Sequence, residues 1–283
     1  MPLSGKRRVS GALLAITKWP GTAAAGYVTR GSEQPVLWGP AADVFAWASV
    51  TKVLTAMCVW IAVEEGSVGW EDPAGPEGAT LADLLSHASG LAPDSDRVLA
   101  PPRRRRIYSN RGIELAASHL ASRTGITFGD YLAEAVLEPL GMQSTRLDGS
   151  PAHGASGPLD DLMKMVLELL DPKLVSVETL ARATAVATEG LTGVLPGFGK
   201  QDPNDWGLGV EIRSHKSPHW TGSRNSPATF GHFGQAGGFL WVDPALGLGA
   251  AALGSAPFGP WAAEAWPALS DAVIEEATGD TPT

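Results

Sequence analysis

Residues 49–66 read SVTKVLTAMCVWIAVEEG, and this stretch organises the rest of the chain. Apolar side chains fall on every side of it: Val50, Val53, Leu54, Ala56, Met57, Cys58, Val59, Trp60, Ile61, Ala62 and Val63. The pattern predicts a helix over residues 49–65 with no polar face, which belongs in the middle of a folded protein. Glu64, Glu65 and Gly66 end it, the glycine suiting a left-handed cap. Lys52 is the exception. An ammonium group one turn inside such a helix leaves bulk water, and a buried cation without a partner gives up its proton more easily. Ser49 lies three residues earlier on the same face. A hydroxyl beside such an amine is a serine nucleophile with its base. The helix N-terminus favours negative charge developing there. The plainer alternative, a capping serine and a lysine that snorkels to solvent, stays open at this point.

Upstream, residues 9–40 read as short strands broken by turns. Lys6-Arg7-Arg8 followed by the apolar residues 9–16 imitates a signal peptide, with Ala23-Ala24-Ala25 as a cleavage site. Lys18, Trp19 and Pro20 interrupt that segment. The expectation is therefore a strand, a turn at Lys18-Trp19-Pro20-Gly21, a second strand through Val28, and a cytoplasmic address. Downstream, the pattern turns helical. Thr80 caps a short helix through Leu85, and a second helix starts after Asn110. A third carries Phe128, Tyr131, Leu132, Val136 and Leu137, and a fourth spans residues 159–170. From residue 206 the segments 206–212, 239–242 and 248–253 read as strands, the last two joined by a hairpin turn at residues 243–247. A closing helix opens at Pro260. Strands at both ends around helices predict one mixed α/β lobe, residues 1–72 and 185–283, and an inserted helical lobe, residues 73–184.

Composition excludes several classes of function. The chain has 283 residues, 44% hydrophobic and 18% charged, which rules out disorder for the whole. A formal charge of −9 disfavours nucleic acid or an anionic membrane as partner. The apolar run from Val53 to Val63 is too short to cross a bilayer. One cysteine, Cys58, excludes an internal disulfide. His215 and His219 have the spacing of a zinc helix, but Pro218 opposes a helix there, so no metal is expected. The glycines of residues 231–238 are followed by no Lys-Ser/Thr, so a phosphate loop is not expected either. Asp160 and Asp161 read as helix N-terminal residues rather than a catalytic pair. Oligomeric state leaves no mark on the sequence.

Two further motifs follow Ser49-Val50-Thr51-Lys52 in order: Tyr108-Ser109-Asn110 before a helix, and His232-Phe233-Gly234 before a glycine-rich strand. The ordered set resembles the penicillin-recognising serine hydrolases, closest to the branch of class C β-lactamases, D-alanyl-D-alanine carboxypeptidases and family VIII esterases. The related set in class A enzymes is Ser-x-x-Lys, Ser-Asp-Asn and Lys-Thr-Gly. Leu84-Leu85-Ser86-His87-Ala88-Ser89-Gly90-Leu91 and Glu138-Pro139-Leu140-Gly141-Met142 are similar to the same family, as are residues 230–244. The likeness runs from about residue 10 to 275.

The resemblance implies a β-lactamase-like fold, a central antiparallel sheet flanked by helices plus the helical lobe, and a cofactor-free enzyme acting on a small acyl substrate. It implies that Ser49 carries the acyl group and that Lys52 and Tyr108 share the proton transfers. Asn110 would bind substrate or hold Lys52, and His232, Phe233, Gly234 and Gln235 would line the substrate. The oxyanion would sit between the amides of Ser49 and Gln235, each donor typically contributing ~3–4 kcal/mol in the transition state. Phe233 departs from the family, which has Thr or Ser there to bind a substrate carboxylate. Phenylalanine donates no hydrogen bond. The expectation therefore moves towards an esterase or amide hydrolase, with β-lactamase or D,D-peptidase as the first alternative and a catalytically weak binding or sensor module as the second. Residues 103–106, four arginines before Tyr108, read as a solvated loop or as a device that steers an anionic substrate. Trp47 reads as core or as part of an acyl pocket.

Overall fold

The computed structural model describes residues 10–279. Six antiparallel strands form the main sheet: β1 (Ala23–Thr29), β2 (Val36–Trp38), β3 (Glu211–Ile212), β4 (Phe230–Gly234), β5 (Gly238–Asp243) and β6 (Leu248–Gly254), in the order β3-β4-β5-β6-β1-β2. Strands from the two ends of the chain meet where β1 pairs with β6, Ala25 opposite Ala252. Every residue of β4, β5 and β6 is buried, because helices cover both faces. Alternation sorts the side chains. Leu240 and Val242 join the core around the central helix, while Phe239 and Trp241 join a second core beneath the C-terminal helix.

The central helix α1 (Thr51–Glu64) buries all twelve residues from Thr51 to Ala62, as its lack of a polar face requires. Helix α2 (Leu81–Leu85) starts with Thr80 and Asp83 in a reciprocal capping box. Helix α3 (Asn110–Thr124) starts behind Ser109, whose Oγ accepts from the Gly112 amide at 3.0 Å. Helix α4 (Leu159–Leu170) lies within the stretch expected to be helical lobe, yet its apolar face packs on β1, β5 and β6. A close approach makes this possible: a Cβ on Gly249 would fall 2.5 Å from Val166 Cγ1. Helix α5 (Pro260–Thr278) covers the opposite face.

Two local expectations need correction, and one helix was not foreseen. The first strand of the expected N-terminal hairpin is instead a 3-10 helix, Leu13–Lys18. Leu13, Ile16 and Trp19 are buried at intervals of three, the repeat of a 3-10 helix and not of a strand. The basic triplet at residues 6–8 lies outside the described residues. Of residues 206–212 only Glu211–Ile212 joins the sheet. Gly209 has φ +96° and lies against α1, where a Cβ would meet that of Ala56 at 2.3 Å, so the chain turns there instead of extending. The helix Val177–Ala183, capped by Ser176, has too short an apolar repeat to stand out in the sequence.

Candidate active site

The turn that carries Ser49 is built before α1 begins. Trp47 is fully buried, its amide donating to Ala155 O at 2.9 Å and its indole N–H to Gly157 O at 3.0 Å. Ala48 then takes φ +45°, a left-handed conformation rare outside glycine, and the short 3-10 turn Ala48–Val50 leads into α1. This bend presents Ser49 beside the helix N-terminus. Strand β4 ends against the same turn. A Cβ on Gly234 would lie 2.2 Å from Trp47 O, so only glycine allows the strand to come this close. The approach puts Gln235, the next residue, on the same cavity wall as Ser49. Among the described residues, neither the Ser49 nor the Gln235 amide has an acceptor.

Lys52 has no exposed surface. Its Nζ lies 3.0 Å from Ser49 Oγ, 2.6 Å from Asn110 Oδ1 and 2.8 Å from Ala152 O. Asn110 is oriented by its own Nδ2, which donates to Asp94 Oδ1 at 2.7 Å. Burial pulls the Lys52 pKa down to about 7, and the nearby Asp94 and Glu114 charges only partly oppose it. A neutral amine donates two hydrogen bonds and accepts one. Asn110 Oδ1 and Ala152 O can only accept, so the lone pair of neutral Lys52 faces the one partner with a proton to give, Ser49 Oγ. Snorkelling is excluded.

Tyr108 OH donates to Ser49 Oγ at 2.8 Å. Desolvation raises the phenol's pKa, so it keeps its proton at neutral pH. Ser49 Oγ therefore receives a proton donor on one side and faces a base on the other.

Positions 232 and 233 point to opposite sheet faces. His232 Nδ1 donates to Phe233 O at 2.7 Å, which leaves Nε2 as a bare acceptor, buried and without a partner among the described residues. Burial, with the charge of Lys52 second, lowers its pKa to about 3, so the ring is neutral. Phe233 is only 6% exposed and is held among Phe198, Trp220, Phe258 and Trp266, with centroids 5.2–5.8 Å away. The side chain that replaces the family's hydroxyl is thus also a core residue.

Ser49, Tyr108, Asn110, His232, Phe233 and Gln235 line one cavity of about 750 Å³, with Lys52 beneath them. The structure also separates the four arginines. Arg103 pairs with Asp83. Arg106 is buried and donates to three carbonyls, Ser86 O, Thr188 O and Asn204 O, at 2.6–3.0 Å. Arg105 lines the cavity, as does Lys200. Sequence reasoning missed Trp206 and Glu211 in the cavity wall. Glu211 accepts from Lys216 Nζ, from His219 Nε2 at 2.9 Å and from Trp220 Nε1 at 2.7 Å. Burial opposes its ionisation, but the His219 and Lys216 charges prevail and hold its pKa near 2. No local sequence signal marks this cluster, whose members meet only through tertiary folding. His215 and His219 form no metal site among the described residues. No helix among them is long and apolar enough to cross a membrane.

Comparison with known proteins identifies the fold and the family. A structure of a beta-lactamase from Mycobacterium bovis is 51% identical, covers 94% of this chain and 99% of that one, and superposes with a TM-score of 0.92. Unliganded simvastatin synthase from Aspergillus terreus, 15% identical over 95% of this chain and 98% of its own, shares the fold with a TM-score of 0.77. Penicillin-binding protein 4* of Bacillus subtilis is 27% identical over 138 residues, 37% of this chain and 31% of that protein's length. The beta-lactamase family model matches residues 2–273, and the chain belongs to that family of serine hydrolases.

Proposed function

We propose that Ser49 is the nucleophile of an acyl-enzyme mechanism, with Lys52 as its base and Tyr108 as the acid. The observation that carries this reading is the position of Ser49 Oγ, 3.0 Å from a buried amine and 2.8 Å from a protonated phenol. Attack on an acyl carbonyl forms the Oγ–C bond while the Ser49 proton passes to Lys52. The oxyanion takes the free amides of Ser49 and Gln235. Collapse breaks the bond to the leaving group, which takes a proton from Tyr108, and the phenol is restored from Lys52. Water then attacks the ester by the same transfers.

For the substrate, the named relatives favour a β-lactam or a D,D-peptide. One is called a beta-lactamase and another a penicillin-binding protein. Arg105 and Lys200 on the cavity wall support the same reading, since either offers a partner for a carboxylate. An ester is the second reading, favoured by Phe233, which supplies an apolar wall where the family binds that carboxylate with a hydroxyl.

Intact-mass spectrometry tests both. The protein is exposed to a chromogenic cephalosporin, benzylpenicillin and p-nitrophenyl butyrate, and adducts are mapped. The expected result is an adduct on Ser49, lost in Ser49→Ala without change in thermal unfolding. Undiminished labelling of that variant refutes the nucleophile. Turnover of the cephalosporin with an inert ester selects the first substrate class, and the reverse selects the second.

A further inference from the structure

His87 belongs to the family-like stretch at residues 84–91, but no step above uses it. It follows α2 with φ +57°, a conformation normally left to glycine or asparagine, and is only 1% exposed. Its backbone oxygen accepts from the Ile107 amide at 3.0 Å, and its Nδ1 accepts from the Ser109 amide at 3.2 Å. These amides belong to the residues on either side of Tyr108. Between them the His87 ring lies 4.6 Å from the Tyr108 ring at 44°. Trp206 closes the other side at 4.6 Å, edge-on at 83°. Because Nδ1 accepts from an amide, the ring proton is on Nε2.

We propose that His87 is the positioning residue of Tyr108, a clamp that grips the chain before and after the phenol and braces its ring, so that the hydroxyl stays on Ser49 Oγ. The inference rests on the acyl-enzyme reading above. His87 holds the Tyr108 ring and the residue after it, and it acts on the reaction through Tyr108. Its left-handed backbone is the geometric condition of the clamp. It turns the carbonyl and the imidazole of one residue towards two amides of another segment.

The test compares His87→Gly with His87→Asn, each alone and with Tyr108→Phe. Glycine takes φ +57° without strain and removes the side-chain acceptor. Asparagine also tolerates that φ, and its Oδ1 replaces Nδ1 as acceptor from Ser109. The readouts are the rate and half-saturation of Ser49 phosphonylation by a fluorophosphonate, followed by intact mass. A slipped phenol predicts a maximal rate roughly tenfold to a hundredfold lower in His87→Gly with half-saturation unchanged, since displacement by about 1 Å has effects of this size. His87→Asn recovers most of the loss. In the Tyr108→Phe background, His87→Gly costs less than about twofold, because the residue it acts through is already disabled.

A full additional loss in that background overturns the proposal. So do equal rates for the Gly and Asn variants, whether both fast or both slow. A wild-type protein that takes no label at Ser49 overturns the acyl-enzyme reading and the clamp with it. Normal wild-type labelling with unaffected variants overturns the clamp alone.

Discussion

If Lys52 is the base, acylation requires it neutral, and the same burial that frees the amine sets the pH dependence of the fold. With its pKa near 7, the neutral fraction is about 1% at pH 5, so the acylation rate falls about tenfold per pH unit below 7. The thermodynamic sign follows from proton counts. Below pH 7 both folded and unfolded chains hold the Lys52 proton, and the folded state bears the whole cost of burying the charge. Between about 7 and the ordinary 10.5, the unfolded chain binds a proton that the folded chain lacks, so stability rises with pH; above 10.5 the cost is gone. Each full pH unit in that window contributes ~1.4 kcal/mol, and because the group is half titrated at pH 7 the gain between pH 7 and pH 9 is about 2 kcal/mol. Lys52→Met removes this contribution. Urea unfolding of wild type and Lys52→Met at pH 7 and pH 9, beside single-turnover acylation from pH 5 to 8, measures both effects. A wild-type acylation rate flat across that range, with parallel pH dependence of stability in the two proteins, refutes a lowered Lys52 and its role as base.

Tyr108→Phe is expected to slow acylation by about a hundredfold to ten-thousandfold, the usual range for a lost acid or base, with a thermal midpoint close to wild type; an unchanged rate removes the phenol from the mechanism. Phe233→Thr restores the family's hydroxyl but empties space among Phe198, Trp220, Phe258 and Trp266, and is expected to destabilise by about 3 kcal/mol or more in chemical denaturation. Unchanged stability with gained cephalosporin turnover argues that specificity alone keeps the phenylalanine. Arg105→Glu combined with Lys200→Glu is expected to raise KM for a carboxylate-bearing cephalosporin about tenfold at low salt and to leave a neutral ester unaffected; equal effects on both substrates remove charge recognition at the wall. Asp94→Asn keeps an acceptor for Asn110 but deletes an anion that favours protonated Lys52, so the acid limb of the acylation profile moves to lower pH, and the displacement shrinks as salt is added. A limb that moves up or stays in place contradicts the electrostatic account.

The parts legible in the sequence are those where one physical pressure acts on a continuous segment. An all-apolar helix has one destination, the core, and Lys52 stands out because it has no polar face to use. Thr80, a capping residue before an apolar repeat, announces the start of α2 for an equally local reason, and the structure adds Asp83 to the cap. Segments shaped by distant partners were misread. Residues 13–18 mimic a strand in composition, and the choice of a 3-10 helix shows only in burial at intervals of three beneath α5. Residues 206–212 are rich in residues suited to strands, but the fit of Gly209 against Ala56 bends them away. The candidate site divides the same way. The motif residues could be named, whereas Ala152 O, Asp94, Trp206 and the Glu211–Lys216 pair are supplied by loops and strands whose proximity no spacing encodes.

The neutrality of His232 bears on how Lys52 is tuned. In the related Lys-Thr-Gly set a cation occupies the first position of the third motif, and a second positive charge close by disfavours protonation of the base. Here that position holds an imidazole whose Nδ1–H is committed to Phe233 O and whose burial keeps it uncharged above about pH 3. It adds no repulsion at any pH where the enzyme is folded and near neutrality. Asp94 and Glu114 pull in the opposite direction, towards the protonated amine. Dehydration alone must therefore overcome them, which requires the pocket around Nζ to stay closed. Nζ is enclosed by Ala152 O, Asn110 Oδ1, Ser49 Oγ and the Tyr108 ring, whose centroid is 4.8 Å away. A loosened wall would admit water, raise the proton affinity of Lys52 and switch off the nucleophile without touching any residue of the three motifs.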